Sequence, residues 1–173
     1  MTILNVLKMG HEILNHQSKP VINFNDPMLV NIIQNMIDTM NANGGVGIAA
    51  PQVGYDLRIV IFGFDKNPRY PDEKPVPLTI LLNPEIKTLS DELEDGWEGC
   101  LSVPGLRGLV PRHKFISYSG YDHMGKKIQR DVDGFHARVV QHELDHLNGI
   151  LYPEKIKDLK YFGFEDSINF NSL

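Results

Sequence analysis

Phe135-His136-Ala137-Arg138-Val139-Val140-Gln141-His142-Glu143-Leu144-Asp145-His146-Leu147-Asn148, closed by Gly149, is the stretch on which the fold turns. Its residues keep helical periodicity, Asp133 stands just before it as an N-cap, and Gly149 stops it. Inside lies His142-Glu143-Leu144-Asp145-His146, an H-E-x-x-H pattern. Residues four apart share a helix face, so both imidazoles can reach one metal ion while Glu143 reaches a water beside it. Phe135 and Val139 fall on the same face, which predicts that protein rather than solvent covers it. A buried face with two histidines and a glutamate needs partners, and a cation supplies them. Two solvated histidines on an exposed helix remain the alternative on this motif alone.

Working outward, Asp26-Pro27 reads as an N-cap followed by proline at the first helical position, and Leu29, Ile32, Ile33, Met36, Ile37 and Met40 recur at helical spacing up to Gly44-Gly45. Residues 57–64, 78–82 and 114–121 are rich enough in β-branched and aromatic side chains for strands. Asp122-His123-Met124-Gly125 is the turn of a hairpin that returns over residues 126–132. Residues 65–77, dense in proline and charge, read as a mobile surface loop with no chemistry, and the tail over residues 155–173 gives no periodic signal. The order of helix, strands and helix predicts an α+β fold in which mixed and antiparallel sheets pack around a central helix carrying the H-E-x-x-H motif. Residues 1–173 are expected to form a single domain.

With 173 residues and 42% apolar content, the chain can bury a substantial core. The start, MTILNVLKMGHEIL, has neither the basic region nor the apolar stretch of an export signal, and nowhere do eighteen apolar residues run together, so a soluble, cytoplasmic protein is expected. A net charge of -5 without a block of like charge implies no broad surface for nucleic acid or for a membrane. Cys100 is the only cysteine, which rules out an intrachain disulfide and suits a reducing cytosol. Read by itself it is a small buried apolar residue.

A catalytic site of this type needs a third protein ligand and an open position. The extended zinc-protease pattern fails here, because Tyr152 stands where its last histidine belongs. Glu154 or Glu165 would complete a peptidase with two histidines and one glutamate, and a non-catalytic module with a structural metal or none is a further reading. Upstream stands Glu98-Gly99-Cys100-Leu101-Ser102. Together with Gly45-Val46-Gly47-Ile48-Ala49-Ala50-Pro51-Gln52 and with Gln141 to Gly149, it resembles the three signature motifs of the peptide deformylases, in their usual order. The tail after Ile156 departs from members that end in a long, charged helix.

The resemblance implies hydrolytic removal of the N-formyl group from the N-terminal methionine of newly made proteins. It makes Cys100, His142 and His146 the ligands of one divalent metal ion. Glu143 becomes the general base and acid, taking a proton from the attacking water and handing it to the departing amine. The oxyanion would be met by the Gln52 side chain and the Leu101 backbone N–H. Val46 and Gly47 lie in the segment that runs beside the substrate, where absent side chains let a peptide pair as an added strand. Val46, Phe135 and Val139 line a methionine pocket, and Arg138 adds its alkyl stem while its charge stays in water. Glu98 and Arg107 support or orient, unless they are ordinary surface charges. Asp145 is structural, and His11, His16, His113, His123 and His136 read as surface residues. By resemblance the metal is Fe(II), while a thiolate and two imidazoles also suit Zn, Ni or Co. The expected partners are N-formyl-Met nascent chains, with a transient ribosome contact.

Overall fold

A computed structural model describes residues 2–170 of the chain. The first helix, α1, spans Pro27–Ala42; the Asp26 carboxylate accepts from the Met28 N–H at 2.9 Å, satisfying a donor that the helix itself cannot. Its buried face, Leu29, Ile32, Ile33, Met36 and Met40, packs with Ile48, Ile59, Ile61 and Leu82.

Strands follow in the order β1 (Gly47–Ala49), β2 (Ile59–Phe64), β3 (Val76–Thr88), β4 (Leu93–Cys100), β5 (Val103–His113), β6 (Phe115–Tyr121) and β7 (Lys127–Asp133). Helix α2 (Gly134–Leu147) comes next and β8 (Phe162–Phe164) lies in the tail. Five strands form one sheet in the order β1-β2-β3-β6-β7, and three form a second in the order β4-β5-β8. All of these pairings are antiparallel; a parallel contact occurs as an isolated bridge between Lys19 and Leu57. Helix α2 rests on the five-stranded sheet through Ala137, Val140, Leu144 and Leu147, against Val60, Phe62, Leu81, Ile116 and Tyr118. It also touches β5 of the other sheet. The expected α+β architecture around the motif-bearing helix is thus present, and among the described residues no helix is long and apolar enough to cross a membrane.

Several expectations need correction. Strands β4 and β5 are absent from the sequence reading because buried Glu98, Arg107 and Arg112 interrupt their buried apolar residues, with glycines and Pro104 and Pro111 between. Part of residues 65–77 is held rather than free: Asn67 is buried and donates to the Gly44 carbonyl at 3.1 Å, and β3 already begins at Val76. Asp133 occupies the N-cap position of α2, but its side chain makes no capping bond. His136 is half-buried between the rings of Phe62 and Tyr118, and His113 is half-buried with Nδ1 at 3.3 Å from the Ser90 carbonyl, so neither is a surface histidine. The tail contributes β8, paired with Leu106 to Gly108 of β5; residues 171–173 lie outside the described residues.

Candidate active site

The β4–β5 hairpin closes through Leu101 and Ser102, with Cys100 paired to Val103, and this turn carries the thiol to the face of α2 that bears the histidines. Cys100 Sγ lies 3.2 Å from His146 Nε2, and one donor atom each from Cys100, His142 and His146 lies within 4.8 Å of the others. Among the described residues this is the group of histidines, cysteine or carboxylates with metal-ligand spacing. Glu154 is engaged with the Leu151 N–H, and Glu165 pairs with Arg107, so neither joins it.

Glu98 organises the ground beneath the histidines. Its carboxylate accepts from Arg112 at 2.8 and 2.9 Å, from Arg138 at 3.0 Å and from His142 Nδ1 at 2.9 Å, while Arg112 continues to Asp145. Because a carboxylate only accepts, His142 must carry its proton on Nδ1, which leaves Nε2 for the side of Cys100. Burial pushes the Glu98 carboxyl up, but the hydrogen bonds and charges of Arg112 and His142 outweigh that and hold it well below the usual carboxylate range. Burial likewise raises the Cys100 thiol, and His146 and His142 more than reverse it, favouring thiolate. His142 is drawn down by burial and lifted further by Cys100 and Glu98, ending well above its ordinary value.

Glu143 is 4% exposed, and its Oε2 is buried without a hydrogen-bond partner. Burial, only partly offset by His142 and His146, pushes its pKa up to about 7. A side chain on Gly47 would collide with this carboxylate, so the glycine is what leaves Glu143 room beside β1. Gln52 is fixed at the other end: Oε1 accepts from the Ala49 N–H at 2.8 Å, and Nε2 points to Ser102 Oγ at 3.1 Å and Cys100 Sγ at 3.5 Å.

One cavity brings together Val46, Gly47, Gln52, Glu98, Cys100, Leu101, Phe135, Arg138, Val139, His142 and Glu143. Arg107 is not among its lining residues; it is buried in the adjoining chamber, bonded to Glu165 at 2.8 Å and to the Tyr70 hydroxyl at 2.9 Å. Glu98 and Arg107 are therefore not surface charges. The expectation for Arg138 was wrong in one respect. Its guanidinium is buried and not in water, because Glu98 and the carbonyls of Gly96, Val110 and Glu94 accept its hydrogens, and Gly96 lacks the side chain that would displace it. Arg69, Tyr70 and Trp97 also line the cavity. Sequence reasoning missed all three, since Arg69 and Tyr70 sit in the proline-rich segment and Trp97 in an unrecognised strand.

Comparison with known proteins agrees with this geometry. The chain is 58% identical to peptide deformylase 2 of Ralstonia nicotianae, over 93% of its own length and 91% of the relative. It is 59% identical to peptide deformylase 1 of Bordetella pertussis, over 93% and 92%. A crystal structure of a class I type b peptide deformylase from Acinetobacter baumannii, bound to Met-Ala-Ser, superposes with a TM-score of 0.86 at 42% identity, covering 90% of this chain and 99% of that one. The profile described as polypeptide deformylase matches residues 3–161, and the chain belongs to that family.

Proposed function

We infer that the protein, working as one domain in the cytosol, removes the N-formyl group from the N-terminal methionine of nascent chains through the convergence of Cys100, His142 and His146 on one point beside Glu143. That convergence carries the reading. A thiolate and two imidazoles within 4.8 Å of one another, next to a buried carboxylate oxygen without a partner, fit a divalent cation and the water it orders. Such an ion supplies Lewis acidity and brings the pKa of a water toward neutrality. Fe(II) is the native metal in this reading, with Zn, Ni and Co compatible with the same donors.

Glu143, buried with Oε2 free of any other partner, takes the proton of the attacking water and returns it to the departing amine. Gln52 Nε2, held by the Ala49 bond, and the Leu101 N–H donate to the oxygen of the formyl carbonyl as it gains charge. Strand β1 lies at the edge of its sheet, so a peptide can pair along Val46 and Gly47. The methionine side chain then meets Val46, Phe135 and Val139. Glu98 keeps His142 oriented, and Arg107 braces the wall behind it. The Met-Ala-Ser complex of the Acinetobacter relative supports a peptide product in this cleft. A transient ribosome contact, where such chains emerge, belongs to the same reading.

The test compares formate release from formyl-Met and formyl-Ala peptides with turnover of acetyl-Met and unblocked peptides. Methionine should be favoured over alanine by roughly thirtyfold in kcat/KM. Acetyl-Met peptides should turn over negligibly, because the extra methyl would have to fit between the metal ligands and the Gly45 to Gln52 segment, and internal bonds should stay intact. Cys100→Ala should lose most bound metal and most activity. Fragments from an unblocked peptide, or one equivalent of metal retained by Cys100→Ala with normal turnover, would favour the peptidase that uses a glutamate ligand.

A further inference from the structure

Arg69 is half-buried and has no counter-ion among the described residues. It lies between β2 and β3 and lines both the cavity that holds Cys100 and Glu143 and the chamber beyond it. Its backbone N–H bonds to Asn67 Oδ1 at 2.9 Å, but its guanidinium makes no ion pair or hydrogen bond among the described residues. Its two neighbours differ. Arg107 is matched by Glu165 at 2.8 Å, and Arg138 is matched by Glu98 at 3.0 Å. Glu73 sits on the exposed rim of the outer chamber and does not pair with Arg69.

The position of this charge is also specific. A methyl group built on Gly99 would stand 3.1 Å from Arg69 Nη2 and 2.9 and 3.0 Å from Arg107 Cδ and Nε, so the two arginines flank the backbone one residue before Cys100. Gly45 and Gly47 line the same cavity, also without side chains. A peptide laid between these two stretches passes beside Arg69 after its methionine is seated. The segment carrying Arg69 is pinned on both sides: Asn67 Nδ2 donates to Gly44, and the Tyr70 ring packs on Phe135 at 4.7 Å while its hydroxyl accepts from Arg107. A guanidinium withdrawn from water and left unmatched is half of an ion pair, and its planar fork fits a carboxylate in two-point contact.

We propose that Arg69 binds a substrate carboxylate carried beyond the formylated methionine. This rests on the deformylase reading. The carboxylate is either an acidic side chain or, in a short peptide, the terminal carboxyl group. Rates of formate release separate them: formyl-Met-Glu-Ala and formyl-Met-Ala-Glu amides against their glutamine isosteres, and formyl-Met-Ala-Ala as free acid against its amide. At low ionic strength the preferred acid should exceed its neutral counterpart by about fivefold in kcat/KM, and about 0.5 M salt should erode the difference. An effect among the amides identifies the side chain, and one confined to the free acid identifies the terminus. In Arg69→Gln the ratio of acid to neutral substrate should fall to about one, and Arg69→Lys should restore part of it. Equal rates for acid and neutral peptides in the wild type, or a preference that survives Arg69→Gln, would overturn the assignment. Formate from the neutral amides reports on the deformylase reading separately, so the two can fail independently.

Discussion

Helix α1 buries Leu29, Ile32, Ile33, Met36 and Met40, whereas α2, of similar length, buries Arg138, Glu143 and His146 beside Val139, Val140, Leu144 and Leu147. The apolar face of α1 is content with any well-shaped apolar neighbour, because burial of that kind has no direction. The polar side of α2 needs particular atoms at particular distances, since each buried charge without a partner is costly. Those atoms come from β4 and β5: Glu98 beneath His142 and Arg138, Arg112 beneath Asp145, and Cys100 beside His146. One helix is thus fixed by its own composition, and the other by residues about thirty to forty-six positions away. The reactive helix therefore cannot be altered without its distant partners.

The largest break between the two should come from Glu143→Gln. The substitution keeps size and hydrogen bonding but removes the proton acceptor, so kcat/KM should fall by on the order of 10² to 10⁴. Metal content should hold, and resistance to denaturant should not fall, because a neutral amide is no harder to bury than this carboxylate, whose pKa burial pushes up to about 7. A variant that lost its metal would make Glu143 a ligand and reverse the roles.

Next in size is Glu98→Gln, which leaves two buried guanidinium groups and His142 short of negative charge. The expected cost is about 3–5 kcal/mol of unfolding free energy near neutral pH. Because the folded protein holds the Glu98 carboxyl well below its ordinary value of 4.5, the contribution is complete above that value and fades as the pH drops toward the folded one. The gap between wild type and variant in urea melts should therefore narrow below about pH 4.5. A gap that stayed constant down to pH 3 would mean that Glu98 acts by shape and not by charge.

How much of this was legible follows the same division. Helix α1, with its Asp26-Pro27 start, and the hairpin turned at Asp122 to Gly125 could be read from local pattern, because their periodicity and turn residues are the cause of their structure. The histidine pair of α2 was legible from spacing, and Cys100, Gln52 and Leu101 only through resemblance, since nothing local distinguishes a ligand cysteine from a core one. Strands β4 and β5 were not legible at all. Their inward faces mix Glu98 and Arg112 with Cys100, Val103 and Val110, and those charges make sense only once Arg138, His142 and Asp145 stand opposite. Tyr70 and Arg69 were hidden for a related reason: the prolines around them signal a loop but not where it folds back.

The smallest effect should come from α1. Ile33 is 5% exposed within the cluster that includes Leu29, Met36 and Ile59, and it touches no ionisable group of the site. Ile33→Val removes one methylene from a packed interior and should cost about 0.5–1.5 kcal/mol. Since no charge changes partner, that cost should be the same at pH 4 and pH 8, unlike the Glu98 effect, and metal content and kcat/KM on a formyl-Met peptide should match the wild type. Urea melts at the two pH values, run beside the formate assay on the same preparation, provide the check. A loss of activity in Ile33→Val, or a cost that varied with pH, would mean that the packing of α1 reaches the metal-facing cavity through β1, whose Ile48 shares the α1 core next to Gly47, and the two helices would then be one mechanical unit.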